Sequence, residues 1–275
     1  MLLFKSGISQ KPGGIYNPGE YQKSLDELYK KFYRKPLNLD SIVKPEGVNS
    51  KRVWRIIDFS NPDNKNIFTK QAKGTNSVPL FEIIMYGLYS GKIHAFKKDS
   101  WNSASPSQFI SFEELSKIIF YSDSIIEKEF DAEGNEHITR KLKTDTINSL
   151  KIKGFILGED WYMDKHFSRI EKRVFTICPV WYSEKQQKDT PLFWLYYPEC
   201  RDLFSSFEAN NPTNQDVKIT WDELLINKWF IGLIVKQSNI FGRNLNSYKK
   251  GDDVLIESYK TKEDLLNAEY DFFNH

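Results

Sequence analysis

Residues 152–183 read IKGFILGEDWYMDKHFSRIEKRVFTICPVWYS, and their patterning decides the fold class. β-branched and aromatic residues alternate from Ile152 to Lys165 and again from Ser168 to Ser183, as half-buried strands require. Only His166 to Ser168 separates the two runs, a gap of turn length that predicts an antiparallel pair. PLFWLYY, residues 191–197, predicts a third strand after the polar loop SEKQQKDT. Alternation puts Leu192, Trp194 and Tyr196 on one side and Phe193, Leu195 and Tyr197 on the other, and the near-continuous apolarity implies burial on both faces before Pro198 ends the run. The same rings could form a stacking platform for sugars or bases, but such platforms want polar or basic residues interleaved. That interruption is missing here, so the residues favour core over platform.

Outward from this centre the patterning becomes helical. KRVWRIIDF, residues 51–59, reads as a strand with Val53, Arg55, Ile57 and Phe59 on one face and Arg52, Trp54, Ile56 and Asp58 on the other. SNPDNKN and KQAKGTNS read as loop. VPLFEIIMYGLYSGKI predicts a buried helix that opens at Pro79, stops at Gly91 and lines up Leu80, Ile83, Ile84 and Leu88. Ser111 with Glu114, and Thr220 with Glu223, have the spacing of capping boxes; the second predicts a helix through LLINKWFIGLIVK. Thr261 with Asp264 suggests a third before LLNAEYDFF. The charged residues 123–150 offer a hairpin-like turn at Gly134. At the front, residues 1–19 are rich in Pro and Gly and read as a flexible arm, and residues 20–50 as a helix, with Tyr21, Leu25, Leu28, Tyr29 and Phe32 at helical spacing, and a linker. Strands cluster centrally and helices flank them. The expected class is therefore α+β: a central antiparallel sheet with flanking helices in one domain, residues 51–275, preceded by an extended N-terminal arm.

Composition limits the chemistry. The 39 basic and 37 acidic side chains leave a formal charge of +2 without a long block of one sign, which argues against nucleic acid as a partner. No apolar run approaches the roughly 18 residues of a membrane helix. MLLFKSG falls short of the roughly 7–15 apolar residues of a signal-peptide core. No nucleophile elbow, Gly-rich phosphate loop or HExxH pair occurs. Cys178 and Cys200 lack a metal-binding spacing, so neither a metal nor another cofactor is expected; they could form one disulfide or remain thiols. Around Glu159, Asp160, Asp164 and His166 a regular strand puts Asp160 and Asp164 on one face and Glu159 on the other, with His166 near the turn; the Asp160/Asp164/His166 edge is the place for a metal-dependent or ligand-binding site, but a solvated edge pairing with Lys165, Arg169 and Lys172 is the commoner arrangement.

KRVWRIIDF, SVPLFEIIMYGLYSGKIHAF, GEDWYMDKHFSRIEKRVFTICPVWY, PLFWLYYPECRDLF and DELLINKWFIGLIVKQSNIFGRNLNSY, in this order, resemble the GldN/PorN family over roughly residues 50–275. The resemblance implies a non-enzymatic periplasmic component of the type IX secretion and gliding machinery, associated with the inner face of the outer membrane. It implies self-association in a ring with a GldK/PorK-like lipoprotein, and contact with a GldM/PorM-like subunit. No catalytic residue carries over. The signature positions are Trp54, Arg55, Asp58, Asp160, Trp161, Phe193, Trp194, Tyr196, Tyr197 and Pro198. Periplasmic placement would require a leader ahead of Met1 or a processed form, and Cys200 stands where the family pattern suggests a small residue. Trp229, Phe230 and Phe241 are candidate interface residues and equally candidates for core.

Overall fold

The structure, a computed structural model, describes residues 18–32, 34–37, 51–69, 76–97, 108–130, 136–164, 169–184, 186–214, 216–237, 260 and 263. Its centre is a seven-stranded antiparallel sheet. The long hairpin expected from the sequence is present as β5 (Ile152–Asp164) and β6 (Arg169–Ser183), paired from Ile152 opposite Trp181 to Asp164 opposite Arg169 with register shifts between Ile152 and Gly154 and between Gly158 and Glu159. β1 (Lys51–Asp58) lies along β5, and β11 (Leu233–Gln237) lies along β1 and closes that edge. Across β6 the sheet continues through β8 (Trp194–Tyr196) to β2 (Ala95–Phe96), while β7 (Lys188–Pro191) pairs with the end of β6.

Helices cover one face of this sheet. α3 (Leu80–Tyr89) is its central element, and every residue from Leu80 to Leu88 is buried, so the helix is enclosed on all sides rather than along one stripe. α5 (Tyr197–Phe204) packs beside it and α6 (Trp221–Ile226) beside α5, and α2 (Pro62–Thr69) packs on β1 and α3. α1 (Pro18–Phe32) adds an outer layer: Leu25 is buried, Tyr29 packs against Tyr86 and Phe207, and the Tyr86 hydroxyl donates to Asp26. The main core joins Ile57, Phe155, Leu157, Ile177, Phe193 and Leu195 of the sheet to these helices. On the opposite face Phe96, Cys178 and Trp194 form a second cluster with Trp54, Ile156, Phe175 and Tyr196 packed on it. Both cysteines are buried and no disulfide joins them; Cys178 belongs to this second cluster and Cys200 to the main core, on opposite sides of the sheet.

A long two-stranded ribbon stands apart from the main sheet. α4 (Phe112–Ile119), started by the Ser111–Glu114 capping box, runs directly into β3 (Phe120–Phe130), which pairs antiparallel with β4 (Glu136–Thr146). A short 3-10 turn at Ser149–Lys151 then returns the chain to β5. β9 (Glu208–Ala209) and β10 (Ile219–Thr220) form a small separate pair that leads into α6.

Several expectations need correction. SNPDNKN opens α2 instead of a loop: the Asn61 carboxamide accepts from the amides of Asp63 and Asn64, and Pro62 needs no donor at the first position. PLFWLYY is not one strand. Leu192 and Phe193 step between β7 and the three-residue β8, and Pro198 helps to start α5, where its missing N–H costs nothing. The second capping box starts a helix of only six residues; LLINKWFIGLIVK leaves helix at Asn227 and enters β11, because Lys228 takes a positive φ of 56° and LIVKQ is β-branched. The arm loses two residues to α1, which begins at Pro18. Residues 1–17, Gly134, His166, Phe241, Thr261 and Asp264 lie outside the described residues.

Candidate functional site

Arg55 of β1 and Trp161 of β5 converge on Glu159, the carboxylate that alternation sets on the face away from Asp160. Val53, Arg55 and Ile57 share a face with Leu157, Glu159 and Trp161 on β5, and this face turns toward the helices. Glu159 is therefore a charged group aimed into the core side of the sheet, with 0% of it exposed. It is retained as a carboxylate because donors surround it. Arg55 Nε donates to Oε1 at 2.8 Å and Nη2 to Oε2 at 3.3 Å; Trp161 Nε1 donates to Oε2 at 2.8 Å and Lys228 Nζ to Oε2 at 2.9 Å. Burial alone would raise its pKa, but Lys228 and Arg55 together outweigh burial and hold it at about 2. Lys228 moves the other way: burial depresses its pKa, Glu159 opposes that, and the cations Arg55 and Lys172 reinforce it. The asymmetry follows from one carboxylate serving two cations.

This knot fixes a loop. Arg55 Nη1 donates to the Gly232 carbonyl at 3.0 Å, and its stem lies so close that a Cβ on residue 232 would come within 2.5 Å of Arg55 Cδ. Asn64 of α2, also buried, grips the same loop from the other side: Ile231 N donates to its Oδ1 at 3.0 Å, and its Nδ2 donates to the carbonyls of Ile231 at 2.8 Å and Asp58 at 2.9 Å. Trp229 N donates to the Leu224 carbonyl. Phe230 turns inward against Phe68, whereas Trp229 is 42% exposed and Ile231 55%. Two apolar side chains are thus displayed to solvent on backbone held at both ends.

The other proposed residues have separate duties. Asp160 is engaged by Arg52, which donates from Nε at 2.6 Å and Nη2 at 2.9 Å and also lies over the Phe175 ring. That partner, directly opposite on β1, differs from the expected Lys165, Arg169 and Lys172. Asp164 stands in register with Arg169. Asp58 accepts from Ser60 N and terminates β1. Phe193, fully buried, and Trp194, 7% exposed, are core rings, which removes the stacking-platform reading; Tyr196 meets Phe175 edge to face. Tyr197 donates to Asp222 Oδ1 at 2.9 Å, and burial beside that carboxylate holds the phenol far above its ordinary pKa.

Asp222 is a second buried carboxylate that the sequence reading missed, also 0% exposed. Arg201 donates to both its oxygens at 3.0 Å. Leu37 N donates to Oδ2, and Arg201 Nη2 donates to the Leu37 carbonyl. The pair ties the segment after α1 to α5 and α6. Among the described residues no three His, Cys, Asp or Glu side chains gather as a metal would require. The charged groups at the signature positions act as structural ties, and the feature turned outward is the 227–232 loop.

The family model described as "Gliding motility associated protein GldN" matches residues 44–274, nearly the whole chain. The chain belongs to the GldN family. It is accordingly a component of the gliding and type IX secretion machinery. A comparison with curated proteins returns no match. Within the GldN match lie all the signature residues together with Glu159, Asn64, Asp222 and Lys228, which the sequence reading did not select. Glu159 was detectable in principle: Arg55 stands between Val53 and Ile57, and Glu159 between Leu157 and Trp161, on the apolar faces of their strands, and charges so placed need partners.

Proposed function

We propose that this chain is a non-enzymatic scaffold of the periplasm, held at the inner face of the outer membrane. In this reading it assembles with a GldK/PorK-like lipoprotein into a ring and contacts a GldM/PorM-like subunit. Residues 51–275 serve as the building block and the residues ahead of α1 as an arm. The observation that carries the reading is the pinned 227–232 loop in a GldN-family chain: Trp229 and Ile231 are exposed on backbone clamped by Asn64 and Arg55, an arrangement that adds little to the core and loses little entropy on docking. A rigid aromatic beside an aliphatic anchor suits a protein partner.

Affinity capture from a bacterial envelope tests it. The unmodified chain should recover a lipoprotein of the GldK type. Trp229→Ala with Ile231→Ser should lower that recovery about tenfold, the effect of losing one good anchor, while the thermal midpoint changes little. Recovery of no lipoprotein by the unmodified chain would overturn the scaffold reading. Undiminished recovery by the double variant would remove the loop from the contact.

A further inference from the structure

The β3–β4 ribbon raises a problem that the main domain does not answer. Eleven residues per strand make it about 35 Å long. Among the described residues neither strand pairs with any strand but the other, so each has an outer edge with no strand beside it among them, and such edges offer backbone donors and acceptors. An isolated two-stranded ribbon is only marginally stable in water.

Yet its base is firmly set. Tyr121 packs on Trp181 of β6 at 5.0 Å between ring centroids, and Lys151 donates to the Thr146 carbonyl at 2.9 Å and pairs with Asp145, which also accepts from the Tyr121 hydroxyl. The ammonium of Lys151 holds the Asp145 pKa below the ordinary carboxylate range.

The two strands differ in charge. β3 brings Asp123, Glu127 and Glu129 against one Lys128; β4 brings Arg140, Lys141 and Lys143, with Glu136 at its far end and Asp145 already engaged by Lys151. One edge of the ribbon is thus acidic and the other basic. Two copies related by a two-fold axis would set acidic strand against acidic strand, or basic against basic, which is unfavourable. A head-to-tail arrangement sets β4 of one copy antiparallel to β3 of the next, continues the ladder and opposes unlike charges. That is the heterologous geometry a ring requires.

We propose that the ribbon is a self-association element, in which the acidic β3 edge of one copy adds as a strand to the basic β4 edge of its neighbour. The inference deepens the scaffold reading and rests on it for the need to join copies. Edge reversals test it in the full-length chain. Glu127 and Glu129 stand opposite Thr139 and His137, and Arg140 and Lys141 stand opposite Ile126 and Ile125, so neither reversal removes an oppositely charged partner in register within the ribbon.

Self-association is measured by sedimentation velocity across a concentration series. Glu127→Lys with Glu129→Lys, and separately Arg140→Glu with Lys141→Glu, should each weaken it at least about tenfold. An equimolar mixture of the two variants should recover it, as should a single chain carrying all four changes, a result that misfolded variants cannot give. Single reversals that assemble like the unmodified chain would overturn the proposal. So would an unmodified chain that stays monomeric or stops at a closed dimer. If such a chain still captures the lipoprotein, the ribbon pairing alone fails; assembly through the ribbon without lipoprotein capture supports the pairing and overturns the scaffold reading.

Discussion

Glu159 ties together more of the molecule than any signature residue chosen from the sequence. Its ordinary pKa of 4.5 falls to about 2 in the folded protein. A carboxyl group whose folded pKa is depressed contributes stability in full above its unfolded value, and that contribution disappears as pH falls through the folded value. Denaturant midpoints of the unmodified chain should therefore drop between about pH 5 and 2. Glu159→Gln should lower stability at neutral pH by ~3–5 kcal/mol, because it strands two cations under the sheet, and its disadvantage should shrink across the same acid range. Lys228→Met should cost less, since Arg55 still neutralises Glu159 and burial already disfavours the ammonium. A midpoint series in which the Lys228 variant was the weaker would contradict this ordering. Alternation alone placed Arg55 among apolar neighbours on β1 and Glu159 opposite Asp160 on β5, so each half of the pair was legible. Their union was not, because it depends on β1 lying beside β5, and nothing local specifies that neighbour.

The local start signals of α4 and α6 were read correctly and that of α2 was not, while β11, which a distant partner defines, was misread. The capping boxes at Ser111 and Thr220 form as their spacing requires, with reciprocal bonds between cap and third residue. Thr220→Ala should cost ~1–2 kcal/mol and Ser111→Ala nearer ~1, because α6 has six largely buried residues over which to spread the loss; equilibrium unfolding distinguishes the two. β11 was mistaken for the continuation of α6, since LLINKWFIGLIVK keeps a helical period and only the pairing with β1 reveals the strand. Asp222 was overlooked for a similar reason. It lies in the first turn of α6, where an acid is expected anyway, yet it holds Arg201 and the backbone of Leu37. Asp222→Asn should weaken this tie and raise the hydrogen-exchange rate at the Leu37 amide more than at core amides of β5. Uniform acceleration would show that the pair supports the whole fold instead.

At the scale of the molecule the α+β class and the central antiparallel sheet were readable, because aromatic and β-branched patterning in β5 and β6 admits little else. The layer order was not. α3 is buried on every side because α1 lies outside it, a placement made by Tyr29, Tyr86 and Asp26 across a long stretch of chain. The sheet's closing edge was equally hidden: Arg55 of the first strand meets Gly232, 177 residues later. This closure makes folding a late event. Contacts of such sequence separation form slowly, and loop closure must precede the pairing that rewards it. A chain emerging from synthesis holds β1 and its Arg55 without β11 until more than 170 further residues have appeared. A version ending before Leu233 should expose β1 as an edge and aggregate, which light scattering would reveal; a clear, monomeric fragment would refute the point. The intact sequence, by the same token, delays its own completion, and until β11 has been made the Arg55 side of β1 stays open.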